Sequence, residues 1–358
     1  MRTVRDIQIF QNIPILVRAA LNVPVENGKV LNDYRLRRAL PTIKFLSERG
    51  ARVILVSHSG EKGTETLRPA ADILRKLVPN VSFFPETTGE KVRAAIRAMT
   101  TGHILVLENV RRDAGERENN PLFAQELAAL ADIFVEDSFD TCHRMHASIV
   151  GVPKILPSYA GLLLEDEVRE LTRALKPKSP SLAVIGGAKF ATKEVVLTML
   201  LEKYDQVFVG GALAHDLLKA SGQEVGESLV SDASESFLKT VLANPKLILP
   251  VDSVFVDGII RDHGAGTSAL LADLAKRSKT ILWNGPLGNY ENGFIAATDA
   301  FARAVAASDA YSVVGGGDTI AAIEGLGLLP HFSFVSTGGG AMLDFLARGT
   351  LPGIRALS

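Results

Sequence analysis

Lys189 and Lys193 lie four residues apart in "GGAKFATKEVVLTMLLEK", directly after the short apolar run "SLAVI". The pattern that follows reads as a helix with Val195, Val196, Met199 and Leu200 on one face. A helix start carries partial positive charge, so two cations there point to an anion bound close by. Further glycine-rich stretches follow other strand-like runs in the same half: "GGALAH", "NGPLGNYE", "GGGDT" and "STGGGA". Glycines at helix starts let backbone N–H groups approach phosphate closely. Asp318, beside the glycines of "GGGDT", suits a magnesium-bound nucleotide. The first half carries different chemistry. Its strand-like runs are followed by "LNVPV", "SHSGEKG", "ENVRRD" and "EDSFDTCHRMH". These supply Asn22, His58, Arg111, His143, Arg144 and His146, with Arg35 early in the first helix. Basic side chains that converge favour a small polyanion. One lobe for a nucleotide's phosphates and one for an anionic acceptor is the layout of a hinge-closing phosphotransferase, whose chemistry is mostly positioning and charge neutralisation.

Each of these features also has a plainer reading. A single Gly-Gly is a tight turn, Asp318 alone could cap a helix, Arg111 beside Arg112 could be a surface charge, and Glu291 alone is a surface carboxylate. What favours chemistry is their recurrence at strand ends. Cys142-His143 makes a poor nucleophile pair, since adjacent residues in an extended loop point apart. "CHRMH" lacks further ligands for a metal. Neither a Walker A pattern nor Gly-x-Gly-x-x-Gly is present, which disfavours P-loop enzymes and ordinary dehydrogenases.

The elements that must position these residues read as an α/β chain, parallel sheets covered by helices. Strand candidates are "PILVRAA", "ARVILV", "HILVL" and "ADIFV" in the first half. In the second they are "SLAVI", "QVFV", "KLILP", "KTILW", "YSVV" and "FSFV". A helix is expected over 33–49, capped by Asn32 or Asp33 and stopped by Gly50. The charged stretch "EDEVRELTRALKPKSP" is the expected lobe junction. Ligands of open parallel sheets bind beyond the carboxyl ends of the strands, where the loops above lie.

A length of 358 residues suggests two domains, and 47% hydrophobic with 22% charged residues suits a full globular core. A net charge of −1 gives no reason to expect nucleic acid or an anionic membrane as partner. One cysteine excludes an internal disulfide framework. The N-terminal apolar stretch is short for a signal peptide and no 18-residue apolar run occurs, so a cytoplasmic chain is expected.

Taken together, the stretches "LNVPVENGKV", "LPTIKFLSERGARVILVSH", "LENVR", "HRMHASIVG", "GGAKFATK", "LPVD", "WNGPLGNYE", "GGGDT" and "VSTGGGAMLDFLARGTLPG" resemble phosphoglycerate kinase over nearly the whole length. The resemblance implies two Rossmann-like lobes with parallel sheets joined by an interlobe helix. It places an acceptor lobe at 1–164 with a tail 348–358 returning to it, the helix at 165–176, and a nucleotide lobe at 177–347. The implied activity is reversible phosphoryl transfer between 1,3-bisphosphoglycerate and ADP in glycolysis, with magnesium on ATP or ADP, in a monomer whose partners are small molecules. By position, Asn22, Arg35, His58, Ser59, Gly60, Arg111 and Arg144 match the family's acceptor-binding residues. Gly187, Lys189, Lys193, Glu291, Gly316, Gly317, Asp318 and Thr319 match its nucleotide residues, with Asp318 on the magnesium. The resemblance implies Arg35 and Lys189 as the catalytic pair, which would neutralise the phosphoryl group from two sides. The acceptor is a carboxylate, already ionised at neutral pH, so no general base is required.

The chain departs from the family mainly in the acceptor lobe. Ala20 stands where an aspartate is usual, Glu61 where an arginine is usual, and Asp140 where glycine is usual. The segment between "LPVD" and "WNGP" is short, although "DHGAGT" matches its end. These departures leave open an acyl-phosphate kinase acting on another carboxylate, or a non-catalytic nucleotide-binding homologue.

Overall fold

Apolar runs such as "ILV" and "VILV" are too short for helices and are buried on both faces, the pattern of strands in the middle of a parallel sheet. In the computed structural model, which describes residues 1–8, 10–187, 193–231 and 233–357, they form two such sheets. The first contains β1 (Pro14–Ala19), β2 (Arg52–Val56), β3 (Val81–Phe83), β4 (Ile104–Val106), β5 (Ile133–Asp137) and β6 (Ser158–Ala160). Their spatial order is β3-β4-β2-β1-β5-β6. The second contains β7 (Ser181–Ile185), β8 (Gln206–Val209), β9 (Leu247–Ile248), β10 (Thr280–Asn284), β11 (Tyr311–Gly315) and β12 (Phe334–Val335). Their order is β9-β8-β7-β10-β11-β12. Pairing is parallel throughout both sheets; Ile15 pairs with Val53 on one side and Ile133 on the other.

Strand order reverses beside β1 in the first sheet and beside β7 in the second. These switch points open a crevice beyond the strand ends, between the loops after β1 and β5 and between those after β7 and β10. The sheets belong to two compact units, Met1–Val168 with Thr350–Ser358 and Arg169–Gly349. The division falls within the helix Leu162–Ala174.

Local details refine the sequence reading. The first helix runs Tyr34–Ser47 with Asp33 at the N-cap position; the Asp33 side chain makes no capping bond, and Asn32 Oδ1 instead accepts from the Tyr34 N–H at 2.9 Å. In the helix Glu194–Lys203 the buried face is Val196, Leu197, Met199, Leu200 and Leu201. Val195 is 63% exposed, which corrects its expected place on that face. The helix begins only at Glu194, and the packed face runs along 196–197 and 199–201, with Leu197 in place of Val195. Two short strands, β3 and β6, and two hairpins, Val25–Glu26 with Lys29–Val30 and Ser253–Val256 with Ile259–His263, add to the expected elements.

Candidate active site

In the first unit the loop after β1 begins at Ala20 and Asn22, and the loop after β5 carries Ser138 and Asp140. Beneath them lies Arg18, fully buried on β1. Its Nε donates to Ser148 Oγ at 3.0 Å, and its Nη2 meets His58 Nδ1 at 3.1 Å. Since arginine only donates, that His58 nitrogen is the acceptor and the proton sits on Nε2. Burial, and then the Arg18 charge, hold His58 well below the usual imidazole range. His146 is likewise pushed down to about 4, first by burial and then by Arg111. Both histidines are therefore neutral at physiological pH and act as donors or acceptors, not as the cations their residue type suggests.

The remaining cations stay charged and crowd together. Arg35 Nη1 donates to the Asn22 carbonyl at 3.0 Å and lies 3.9 Å from Asp140 Oδ2. Arg111 Nη1 donates to the Gly60 carbonyl at 2.6 Å. Asn22 Oδ1 accepts from the Gly60 N–H at 3.2 Å, tying the two loops. Arg144 is exposed. Burial, then the neighbouring Arg18, Arg117 and Arg144, lower the Arg111 guanidinium from its ordinary value, with Glu116 opposing them. An open cavity of about 610 Å³ beside it is lined by Asn22, Arg35, Ser59, Gly60 and Glu65, among others. His58, Arg111 and Arg144 are not among its lining residues, and neither is the exposed Glu61.

The second unit's crevice is built from backbone. Gly187 N–H donates to the Pro286 carbonyl at 3.0 Å, and Gly186 N–H to the Asn284 carbonyl at 2.9 Å. Gly285 has φ +97°, and a Cβ there would sit 2.4 Å from the Gly186 oxygen, so only glycine allows the two loops to meet. Trp283, fully buried on β10, donates its Nε1–H to the Gly285 carbonyl at 2.9 Å and packs edge-on against Phe301. Thr319 is buried and its Oγ1 accepts the Gly285 N–H at 3.1 Å, so its hydroxyl supports the turn. A cavity of about 320 Å³ is lined by Gly187, Gly211, Arg261, His263, Glu291 and Asp318, among others. Gly316 and Gly317 open the helix Gly317–Gly325 that carries Asp318 in its first turn. Lys193 occupies the N-cap position of the helix Glu194–Lys203 without a capping bond from its side chain, and its Nζ donates to the Gly186 carbonyl. Burial pushes its ammonium down to about 8. Lys189 lies outside the described residues.

Arg18, Glu65, Arg261 and His263 belong to these surroundings although the sequence reading did not single them out. Arg18 was visible as an arginine inside the apolar run "PILVRAA". Asp318 is exposed and faces the cavity, and among the described residues no group of three or more metal-ligating side chains occurs. That donor set fits a magnesium ion carried by a nucleotide, whose ligands come largely from phosphate and water with one protein carboxylate. Among the described residues no helix is long and apolar enough to cross a membrane.

Comparison with known proteins agrees with this picture. The family model described as "Phosphoglycerate kinase" matches residues 4–348. The phosphoglycerate kinase of Thermus thermophilus is 40% identical over 389 aligned positions, covering 100% of both chains. That of Moorella thermoacetica is 40% identical over 99% of this chain and 98% of its own. The solved phosphoglycerate kinase of Pyrococcus horikoshii superposes with a TM-score of 0.89 at 31% identity, covering 100% of this chain and 98% of that one. For Coxiella burnetii the TM-score is 0.83 at 40% identity, over 99% and 98%. These matches favour neither alternative raised by the departures in the acceptor lobe. With two parallel six-stranded sheets, a crowded cationic crevice on one and a glycine-built crevice on the other, the chain belongs to the phosphoglycerate kinase family.

Proposed function

We propose that the first unit binds the acceptor of phosphoryl transfer, 3-phosphoglycerate or its acyl phosphate, and that the second binds ADP or ATP with magnesium. The observation that carries this assignment is the gathering of Arg18, Arg35 and Arg111 around His58, with Arg144 beside Arg111, set against a second crevice whose cavity is lined by Gly187, Gly211 and Asp318. Arg35 neutralises charge on the acceptor side, and Lys189 and Lys193 do so on the nucleotide's phosphates. Magnesium, held by Asp318 and the nucleotide, supplies further neutralisation when bound. His58 donates its Nε2–H as a neutral group. The acceptor carboxylate attacks without losing a proton, so the residues position and neutralise rather than shuttle protons. The chain works in the cytoplasm as a monomer. A coupled assay with ATP, magnesium and millimolar 3-phosphoglycerate tests the reading; turnover is expected, and its absence in folded protein that still binds MgADP would overturn the acceptor assignment.

Lys193 gives a sharper check. Removing a charge-assisted phosphate contact costs roughly 1.5–3 kcal/mol, so Lys193→Ala should weaken MgADP binding by about one to two decades. Because the free ammonium titrates near 8, bound phosphate should raise its pKa and draw in a proton. Wild-type affinity is then constant below about pH 7 and falls as pH rises through 8, while the variant's affinity lacks that slope. Calorimetry across this range in two buffers of different ionisation enthalpy measures both. Equal affinity and equal pH dependence in the two proteins would remove Lys193 from the site.

A further inference from the structure

We propose that Asp140 is a specificity-determining residue whose carboxylate accepts a hydrogen bond from the hydroxyl that an α-hydroxy-acid acceptor carries beside its carboxylate. The inference rests on the acceptor role assigned above to the cavity at Arg35. Asp140 follows β5 at the switch point, and its side chain is only 6% exposed. Its Oδ1 accepts from Ser138 Oγ at 2.7 Å. That hydroxyl is itself held, accepting from Thr141 Oγ1 at 3.0 Å and from Arg18 Nη1 at 3.4 Å. The carboxylate is thereby fixed, with Oδ2 turned to Arg35 Nη1 at 3.9 Å. Arg35 is fixed as well, through the Asn22 carbonyl at 3.0 Å.

A fixed, nearly buried carboxylate beside an anion-binding guanidinium repels an anionic acceptor unless it gains a donor from it. Glu65, the carboxylate among this cavity's lining residues, is exposed and can turn to water; Asp140, which stands behind the lining against Arg35, cannot. When an acceptor's carboxylate or acyl phosphate pairs with Arg35, its α-carbon lies just beyond the guanidinium. A hydroxyl on that carbon reaches the oxygen that already faces Arg35. An acceptor lacking the hydroxyl leaves Asp140 with its repulsion unrelieved, and a site built to bond a hydroxyl rejects such analogues strongly.

The test compares kcat/KM for 3-phosphoglycerate with that for 3-phosphonooxypropanoate, which lacks the hydroxyl, in the full-length wild type, Asp140→Gly and Asp140→Asn. The wild type should prefer the hydroxylated acceptor. Asp140→Gly should reduce that preference at least about tenfold, chiefly by gaining activity on the deoxy acceptor and by a raised KM for the other. Asp140→Asn, which keeps the shape and a neutral acceptor oxygen, should fall between the two and also controls for folding. An unchanged preference in Asp140→Gly, or parallel losses on both acceptors, would mean that Asp140 merely steadies Arg35, and the inference would fall. An active wild type with no preference sinks this inference alone, whereas a wild type that turns over neither acceptor overturns the proposed function and this inference with it.

Discussion

Replacing Arg35 by alanine is expected to lower kcat for phosphoryl transfer to 3-phosphoglycerate by about 10²–10³, the usual cost of one preorganised charge-stabilising donor. The nucleotide KM should change little. Negative charge on the transferring group shifts between its bridging and terminal oxygens during transfer, and a guanidinium held before the reaction starts costs no reorganisation. The Asn22 carbonyl and Asp140 provide that holding. Arg35→Lys should recover only part of the loss, because an ammonium on a flexible stem cannot keep the planar two-sided arrangement. Steady-state kinetics with both substrates varied separates the cases. A change confined to the acceptor KM would make Arg35 a ground-state binding group and remove it from the catalytic pair. Lys189→Ala enters the same comparison from the nucleotide side.

A second large effect concerns stability. Trp283→Ala removes the largest fully buried side chain, from its contact with Phe301, and should destabilise the second unit by about 3–5 kcal/mol. It also removes the N–H that holds the Gly285 carbonyl, so MgADP affinity should drop together with stability. Trp283→Phe retains most of the apolar burial and loses that hydrogen bond, for about 0.5–1.5 kcal/mol. Urea unfolding followed by circular dichroism gives the first quantity and calorimetry the second. Should Trp283→Phe bind MgADP as tightly as wild type, the indole N–H does not support the nucleotide turn.

Much of the scaffold could be read before any coordinates, and for a physical reason. Parallel strands buried on both faces must be nearly continuous in Val, Ile and Leu, so "PILVRA" and "SLAVI" announce themselves. The edge strands Val81–Phe83 and Ser158–Ala160 have three residues each, the first half-buried throughout, which is too little pattern to detect. The hairpins were detectable in principle. Asn27-Gly28 and Asp257-Gly258 both adopt positive φ at their turns, the strongest short-range hairpin signal, yet their strands are too exposed to show alternation. In the site, glycine loops were legible because the backbone conformation they permit is local. Charge state was not legible: His58 and His146 look basic by residue type, and only burial beside arginines distant in sequence makes them neutral. Asp140 was visible as an unusual residue, but its place opposite Arg35 depends on contacts 105 positions apart in the chain.

The residues Thr350–Ser358 belong to the first unit, although all of Arg169–Gly349 separates them from the rest of it. The Gly353 N–H donates to the Cys142 carbonyl at 2.9 Å, and a Cβ on Gly353 would lie 3.0 Å from the Cys142 sulfur, so the segment sits tightly in its seat. On the ribosome this arrangement inverts the usual order of completion. The unit translated first lacks this piece until Arg169–Gly349 has been made, at roughly 5–20 residues per second a delay of about ten to forty seconds. Throughout that interval the seat beside Cys142 is open and the surface it buries faces water, whereas Arg169–Gly349 is continuous in the chain and has every residue it needs once Gly349 is made.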